Sequence, residues 1–135
     1  MNILYTNNIP DTCDLCELFL SVGWKGTHAN ERKVTEMLSS RPMFIVSVYD
    51  NDKLVGFGKT LEDGIRCLIY DVVVNPSYAR QGIGKNIVNQ LLAYAKSNGY
   101  SYARLFSDKT NPATAPFYKS LGFVNIDNAM QINFS

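Results

Sequence analysis

Residue types that can do chemistry are concentrated between positions 70 and 85, Tyr-Asp-Val-Val-Val-Asn-Pro-Ser-Tyr-Ala-Arg-Gln-Gly-Ile-Gly-Lys. An apolar β-branched run ends in an Asn-Pro break, and a loop with two glycines leads into a helical pattern. The first N–H groups of a helix have no intrahelical partner, the helix dipole favours negative charge there, and glycines let a phosphate approach the backbone. The order therefore predicts a phosphate-binding loop formed by Arg80, Gln81, Gly82, Ile83, Gly84 and Lys85.

Two common nucleotide motifs do not fit this loop. A dinucleotide fingerprint requires a third glycine, where the chain has Ile87. A Walker A loop requires Gly and Ser or Thr at the positions of Ala79 and Asn86, so its magnesium ligand is missing. Two interpretations stay open at this point: a cradle for another phosphorylated ligand, or ordinary turn glycines beside a solvated Lys85.

Hydrophobic periodicity predicts the element order β-α-α-β-β-β-α-β-α-β-β. The strands are predicted at residues 2–7, 43–49, 54–60, 66–74, 102–107, 123–126 and 129–134, and the helices at about 11–22, 30–39, 83–97 and 112–121. Strands joined by turns pair antiparallel, and strands joined through a helix pair parallel. We therefore expect one α/β (α+β) domain over residues 1–135, with a mixed, twisted sheet of about seven strands, the strand 66–74 central, and helices on both faces.

Bulk composition excludes several classes of function. The 135 residues are 46% hydrophobic and 19% charged, as in a soluble globular protein. The net charge of +1 provides no basic excess for nucleic acid, and no apolar run is long enough for a membrane span. The N-terminal residues lack a signal-peptide pattern, and the cysteines number only three. We expect a cytoplasmic protein that binds neither nucleic acid nor membrane.

The cysteines and the single histidine give no sign of a metal site or a thiol nucleophile. Cys13 and Cys16 form a CxxC on a helical pattern without the second ligand pair that zinc needs, so we expect no metal. Cys67 lies in a predicted strand, and His28 lies in a loop far along the chain from it. A cysteine–histidine catalytic pair is therefore unsupported.

Two blocks of the sequence resemble the Gcn5-related N-acetyltransferases. Residues 72–85 resemble that family's acetyl-CoA motif, and Asn111 followed by Phe-Tyr-Lys-Ser-Leu-Gly-Phe at 117–123 resembles a second family block. One departure is Ala79, where the family usually has Arg or Gln; the basic side chain follows at Arg80. The resemblance covers nearly the whole chain. It implies the family's fold, acetyl-CoA as cosubstrate, and the pyrophosphate of CoA at residues 80–85.

A narrower resemblance concerns small single-domain members of that family. The run Ile-Tyr-Asp-Val-Val-Val at 69–74 and the triplet Val-Gly-Trp at 22–24 are similar to plastid arylalkylamine, or serotonin, N-acetyltransferase-like proteins. The likeness suggests a small-molecule amine as acceptor without fixing its identity.

The family resemblance also implies roles for individual residues. The family transfers the acetyl group directly, and a backbone N–H along Val72, Val73 and Val74 would polarise the thioester carbonyl. Tyr118 matches the usual proton donor to the sulfur, and Asn111 matches a CoA-contacting position. Asp71 is the candidate base, directly or through water. The family often has Glu at the position of Tyr70, so the base stays open, and Tyr70 is assigned to acceptor binding.

Trp24 and His28 lie in the loop between the first two predicted helices, which walls the acceptor site in this family. Trp24 could stack on an amine or could simply anchor the loop in the core. Structural alternatives also exist for Tyr118, as a core tyrosine, and for Asp71, as a carboxylate that pairs or caps.

The sequence thus predicts an N-acetyltransferase for a small primary amine, either an arylalkylamine or a polyamine. The alternatives are a protein lysine or N-terminal acetyltransferase and a CoA-binding regulatory module without turnover. A monomer and a homodimer are both compatible with the sequence.

Overall fold

A computed structural model of the chain describes residues 1–108, 110–126 and 129–134. The chain forms two compact units, Met1–Arg104 and Leu105–Ser135, and each is described by itself. The expectation of a single domain stays a prediction.

The first unit contains four strands and three α-helices close to their predicted positions. They are β1 (Ile3–Thr6), α1 (Thr12–Ser21), α2 (Glu31–Ser39), β2 (Ile45–Asp50), β3 (Lys53–Glu62), β4 (Cys67–Val74) and α3 (Ile83–Ser97). Side chains cap the first two helices: Asp11 accepts hydrogen bonds from the N–H groups of Cys13 and Asp14, and Asn30 accepts from that of Lys33. Each cap satisfies N–H groups that the helix itself leaves without partners. No helix in the described ranges is long and apolar enough to cross a membrane.

The four strands form one antiparallel sheet in the order β1-β2-β3-β4. Beyond β4, the segment predicted as a strand at 102–107 makes a single parallel bridge, between Arg104 and Leu68. This bridge confirms the predicted parallel direction across α3. β4 is the last of the four named strands, and the bridge gives its other edge a partner, as predicted for an internal strand.

Helices cover both faces of this sheet. Every β3 residue from Leu54 to Thr60 is buried, as expected for a strand covered on two sides. Phe57 packs into the cluster formed with α1 and α2. On the opposite face α3 approaches so closely that a Cβ at Gly58 would lie 2.5 Å from Cγ2 of Ile87. The α/β fold class with helices on both faces is therefore confirmed.

The second unit contains one short helix, α4 (Thr114–Ser120), within the predicted 112–121. The strands predicted at 123–126 and 129–134 are absent from the described residues of this unit. Their alternating apolar side chains are exposed, namely Val124, Ile126, Met130, Ile132 and Phe134. An alternating pattern makes a strand only where another backbone bonds to it, and the described residues of the second unit contain no such ladder.

Candidate functional site

The connection from β4 to α3 builds the predicted phosphate loop. After β4, Asn75 donates its N–H to the carbonyl of Val55 at 2.8 Å, and its side chain accepts from the N–H of Ser77 at 2.9 Å. One turn of 3-10 helix follows at Pro76–Tyr78. Gly82 then caps α3 with φ at 78°, a left-handed conformation that glycine adopts without steric cost.

The start of α3 can accept an anion. The N–H groups of Ile83, Gly84 and Lys85 have no acceptor among the described residues, and the first bond of the helix runs from Asn86 N–H to Gly82 O at 3.0 Å. A Cβ placed on Gly82 would have no atom within 4 Å, so the space above the helix end is open. The exposed cation of Arg80, itself at φ 63°, adds positive charge. These features fit a pyrophosphate.

A β-bulge interrupts the pairing of β3 with β4. Phe57 pairs with Val73 and Lys59 pairs with Tyr70, so β4 carries one more residue than β3 between these two pairs. Asp71 lies in this interval with φ at 57°. Bulges redirect side chains and are common next to active sites. The conformation of Asp71 therefore breaks the strict alternation that a regular strand would impose.

Within the first unit, the outer edge of β4 pairs only near its beginning. In the first unit the bridge between Leu68 and Arg104 is bonded through Ile69 N–H to Arg104 O at 2.7 Å and Arg104 N–H to Cys67 O at 3.0 Å. No described residue of this unit pairs with the outer edge at 72–74. Within the first unit, the backbone groups on that edge at 72–74 therefore have no pairing strand.

His28 and Asp71, both predicted as site residues, are in direct contact. Nε2 of His28 lies 2.9 Å from Oδ1 of Asp71, although 43 positions separate them in the chain. The side chain of His28 is 39% exposed and that of Asp71 is 15% exposed. The sequence predicts His28 in a loop and Asp71 in a strand, and it gives no indication that the two are in contact.

Aromatic rings surround the histidine. The ring of Phe19 stacks on Trp24 at 5.5 Å and meets the edge of His28 at 4.9 Å, and Trp24 meets His28 at 5.2 Å. Trp24 also packs against the buried cluster, which favours its role as a loop anchor. Its contact with an acceptor stays a prediction.

Lys59 is a site neighbour that the sequence analysis missed. Its side chain is buried, with the residue 4% exposed, and Nζ lies 5.8 Å from the ring centroid of its cross-strand partner Tyr70. Burial lowers the pKa of Lys59, and the charge of Asp71 acts in the opposite direction. A lysine within the apolar run 54–61 was the available signal, because lysine is rarely buried without a partner.

The second unit holds the remaining predicted residues. Tyr118 is half-buried, with ring contacts to Phe117 at 5.0 Å and Phe123 at 5.6 Å. Burial raises the pKa of Tyr118 above 10.0, so its hydroxyl keeps its proton at neutral pH. The side-chain oxygen of Asn111 accepts from the N–H of Ala113 at 3.0 Å, which makes Asn111 a turn residue. Its contact with CoA stays a prediction.

The cysteines take no part in this constellation. Cys13 is exposed and donates its S–H to Glu31 at 3.3 Å, which raises the pKa of the thiol. Cys16 and Cys67 are buried, and burial raises the pKa of Cys67 to about 11. The described part of the chain has no group of three or more His, Cys, Asp or Glu side chains arranged to hold a metal.

Known proteins resemble the chain over most of its length. The model of the acetyltransferase (GNAT) family matches residues 11–123. An uncharacterized N-acetyltransferase, ycf52, of Pyropia yezoensis is 33% identical over 119 residues, which are 87% of this chain and 65% of that protein. The chain thus spans just under two thirds of the length of this relative.

A second relative and a solved structure agree with this match. The chloroplastic serotonin N-acetyltransferase 2 of Oryza sativa subsp. japonica is 31% identical over 78 residues, 57% of this chain and 38% of that protein. The crystal structure of a probable acetyltransferase from meticillin-resistant Staphylococcus aureus matches with a TM-score of 0.83 and 26% identity. The match covers 98% of this chain and 99% of that one.

Proposed function

Since the chain belongs to the acetyltransferase (GNAT) family, we propose that it transfers the acetyl group of acetyl-CoA directly to a primary amine of a small molecule. The observation that carries the proposal is the first turn of α3, where the N–H groups of residues 83–85 lack acceptors in the described chain behind a left-handed Gly82. That geometry suits the pyrophosphate of CoA. Residues 80–85, with the cations of Arg80 and Lys85, would hold it.

The reaction needs three catalytic contributions from the protein. The acceptor amine must lose a proton, because alkyl ammonium groups titrate near pH ~10 and have no lone pair when protonated. The oxyanion needs a donor, for which the proposal uses a backbone N–H along residues 72–74, on the β4 edge that no strand of the first unit pairs with. The leaving sulfur needs a proton, for which the proposal uses Tyr118, whose raised pKa keeps it protonated.

In this proposal Asp71 is the base that takes the proton of the acceptor amine, directly or through water. It lies at the bulge of β4, one residue before the run that would polarise the thioester. Trp24, His28 and Tyr70 are proposed to border the acceptor. Of these, Tyr70 shares a face of the sheet with the buried Lys59, and His28 contacts Asp71.

The acceptor is proposed to be an arylalkylamine or a polyamine. The name of the rice relative, a serotonin N-acetyltransferase, supports an arylalkylamine. The aromatic rings around His28 offer an apolar wall of the kind that such an amine needs. We further propose a reducing compartment such as the cytoplasm, since all three cysteines are free thiols.

A panel of arylalkylamines, polyamines, aminoglycosides and lysine peptides tests the proposal. Each is incubated with acetyl-CoA, free thiol is followed, and the mass of the acetylated product is measured. We expect turnover that favours small amines over peptides. A preference for peptides would assign the chain to protein acetylation.

Binding of acetyl-CoA, measured by calorimetry without an acceptor, is the companion experiment. Tight binding without turnover on any amine or peptide would make the chain a CoA-binding module. Absence of binding would overturn the assignment of residues 80–85 as well.

A further inference from the structure

The bulge in β4 gives Asp71 a fixed direction. Asp71 has the left-handed φ of 57°, which aspartate adopts more readily than most residues but which a regular strand does not contain. Its carboxylate is directed at the loop after α1, where Oδ1 lies 2.9 Å from Nε2 of His28. A bulge that turns a carboxylate towards an imidazole on another element is typical of the bulges found next to active sites.

The ring of His28 is held from three sides. It belongs to a turn of 3-10 helix, Gly26–Ala29, and packs edge-on against Phe19 at 4.9 Å and Trp24 at 5.2 Å. Asp71 adds a hydrogen bond at Nε2. These contacts restrict the orientation of the imidazole while 39% of the side chain stays exposed.

This contact also assigns the tautomer of the neutral imidazole. A carboxylate only accepts hydrogen bonds, so the proton that lies between the two groups is carried by Nε2 of His28. Nδ1 is then the nitrogen with the free lone pair. No described residue hydrogen-bonds to Nδ1.

We infer that Nδ1 of His28 accepts the proton of the acceptor's ammonium group, and that Asp71 positions His28 for this step. The inference rests on the proposed acetyltransferase function and changes the role of Asp71 within it. Asp71 acts through His28, because its carboxylate is largely covered and one oxygen is already engaged, while the histidine ring reaches solvent. Carboxylate–imidazole pairs orient histidine bases in this way in many enzymes.

The protons and electrons balance as follows. The ammonium loses one proton to Nδ1, and the nitrogen lone pair forms the C–N bond while the carbonyl π pair moves to oxygen. Collapse re-forms the carbonyl and breaks the C–S bond, and the sulfur leaves with that electron pair. Tyr118 gives one proton to the sulfur, and the surplus proton of the nitrogen passes through water to restore the hydroxyl of Tyr118. The proton on His28 then passes to solvent through the exposed ring.

His28→Gln tests the inference, because a glutamine amide can still donate to Asp71 but cannot accept a proton as a base. We expect kcat/KM for the best acceptor to fall about 100-fold or more, within the range for loss of a general base. The dissociation constant of acetyl-CoA should stay within about twofold. Thr27→Ala, in the same exposed turn, is the matched control and should keep wild-type turnover.

Two acceptors that differ only by fluorination next to the amino group distinguish a role of His28 in proton removal from a role in positioning the acceptor. The fluorinated amine is neutral at the assay pH and needs no base. The loss in His28→Gln should therefore shrink to a few-fold with the fluorinated acceptor. An equal loss with both acceptors, or no loss with either, would overturn the inference.

Added imidazole provides a second readout that does not depend on the fold of the glutamine variant. We expect turnover of His28→Ala to rise in proportion to imidazole concentration, and that of Asp71→Asn to show no such rise. A failure of rescue in a variant that still binds acetyl-CoA would contradict the role of His28. If wild-type protein turned over no amine, the proposed function itself would fail, which is a different result.

Discussion

The hydroxyl of Tyr78 donates a hydrogen bond of 2.6 Å to Oδ2 of Asp50, and this bond ties the loop before α3 to the end of β2. Asp50 also accepts from the N–H of Asn2 at 2.9 Å, and Nζ of Lys53 lies 5.7 Å from the Tyr78 ring. The loop proposed to bind phosphate is therefore held at its beginning by a contact between residues that lie 28 positions apart.

Tyr78→Phe should weaken acetyl-CoA binding without harming chemistry. Removal of one hydrogen bond loosens the loop, so we expect KM for acetyl-CoA to rise roughly threefold to tenfold with kcat nearly unchanged. Tyr5→Phe is the comparison variant, because it removes from β1 the hydroxyl that accepts a hydrogen bond from the side chain of Asn86 in α3. A fall in kcat with unchanged KM would contradict a role limited to holding the loop.

The substitution Asp50→Asn should make the free energy of unfolding less dependent on pH in the acid range. The N–H of Asn2 and the hydroxyl of Tyr78 hold the pKa of Asp50 below its ordinary value of 3.8. A lowered carboxyl pKa contributes stability that is complete above pH 3.8 and is lost as pH falls through the folded-state pKa.

The urea midpoint of Asp50→Asn should therefore lie below that of the wild type at neutral pH and approach it well below pH 3.8. Asp52→Asn, exposed in the adjacent turn, is the matched charge control. A difference from wild type that does not change with pH would indicate lost packing instead of lost charge.

Gly82→Asp should abolish acetyl-CoA binding, because it adds a negative charge and a side chain where the pyrophosphate is proposed to lie. Gly82→Ala should cost about 1–2 kcal/mol of unfolding free energy through its left-handed φ alone. Gly64→Ala is the matched control, since Gly64 has φ 92° and equally open space around its Cβ position. Calorimetry should find a changed affinity for acetyl-CoA in the Gly82 variants and an unchanged affinity in Gly64→Ala. Equal effects at both positions would contradict a role of the loop in CoA binding.

Gly58→Ala should destabilise the first unit by about 1–3 kcal/mol, the usual cost of overpacking. The new Cβ would lie 2.5 Å from Cγ2 of Ile87 and 3.2 Å from Cδ1 of Leu91. Ile87→Ala removes the first of these atoms, so a double-mutant cycle in urea should give a favourable coupling between the two changes. Additive costs would mean that α3 shifts away from β3 instead of clashing.

Tyr118→Phe should lower kcat more than it raises KM for acetyl-CoA, as expected for a proton donor used only in the transition state. Burial raises the pKa of Tyr118 from its ordinary value of 10.0, so the midpoint of any activity loss through its deprotonation should lie above that pH. This alkaline loss should be missing from the phenylalanine variant. An unchanged kcat would leave Tyr118 with a packing role against Phe123.

The local elements of the fold were predictable because their signals are local. Asp11 and Asn30 mark the starts of two helices, and both caps are formed. The passage from β4 into α3 was also predictable, because a strand, two glycines and a helix start follow one another along the chain; its role in phosphate binding stays a prediction. The strands beyond residue 122 were predicted from alternation alone, and the described residues do not form them, because pairing depends on a partner and not on the pattern.

By itself, the sequence determined the residue types of the site and the order of the elements that carry them. Only the tertiary structure brought His28 to Asp71, buried Lys59 opposite Tyr70, and placed Tyr78 on Asp50. The physical reason is that each of these contacts crosses between elements. The contact of His28 with Asp71 depends further on one extra residue in β4, a bulge that redirects a carboxylate which regular alternation would have aimed elsewhere.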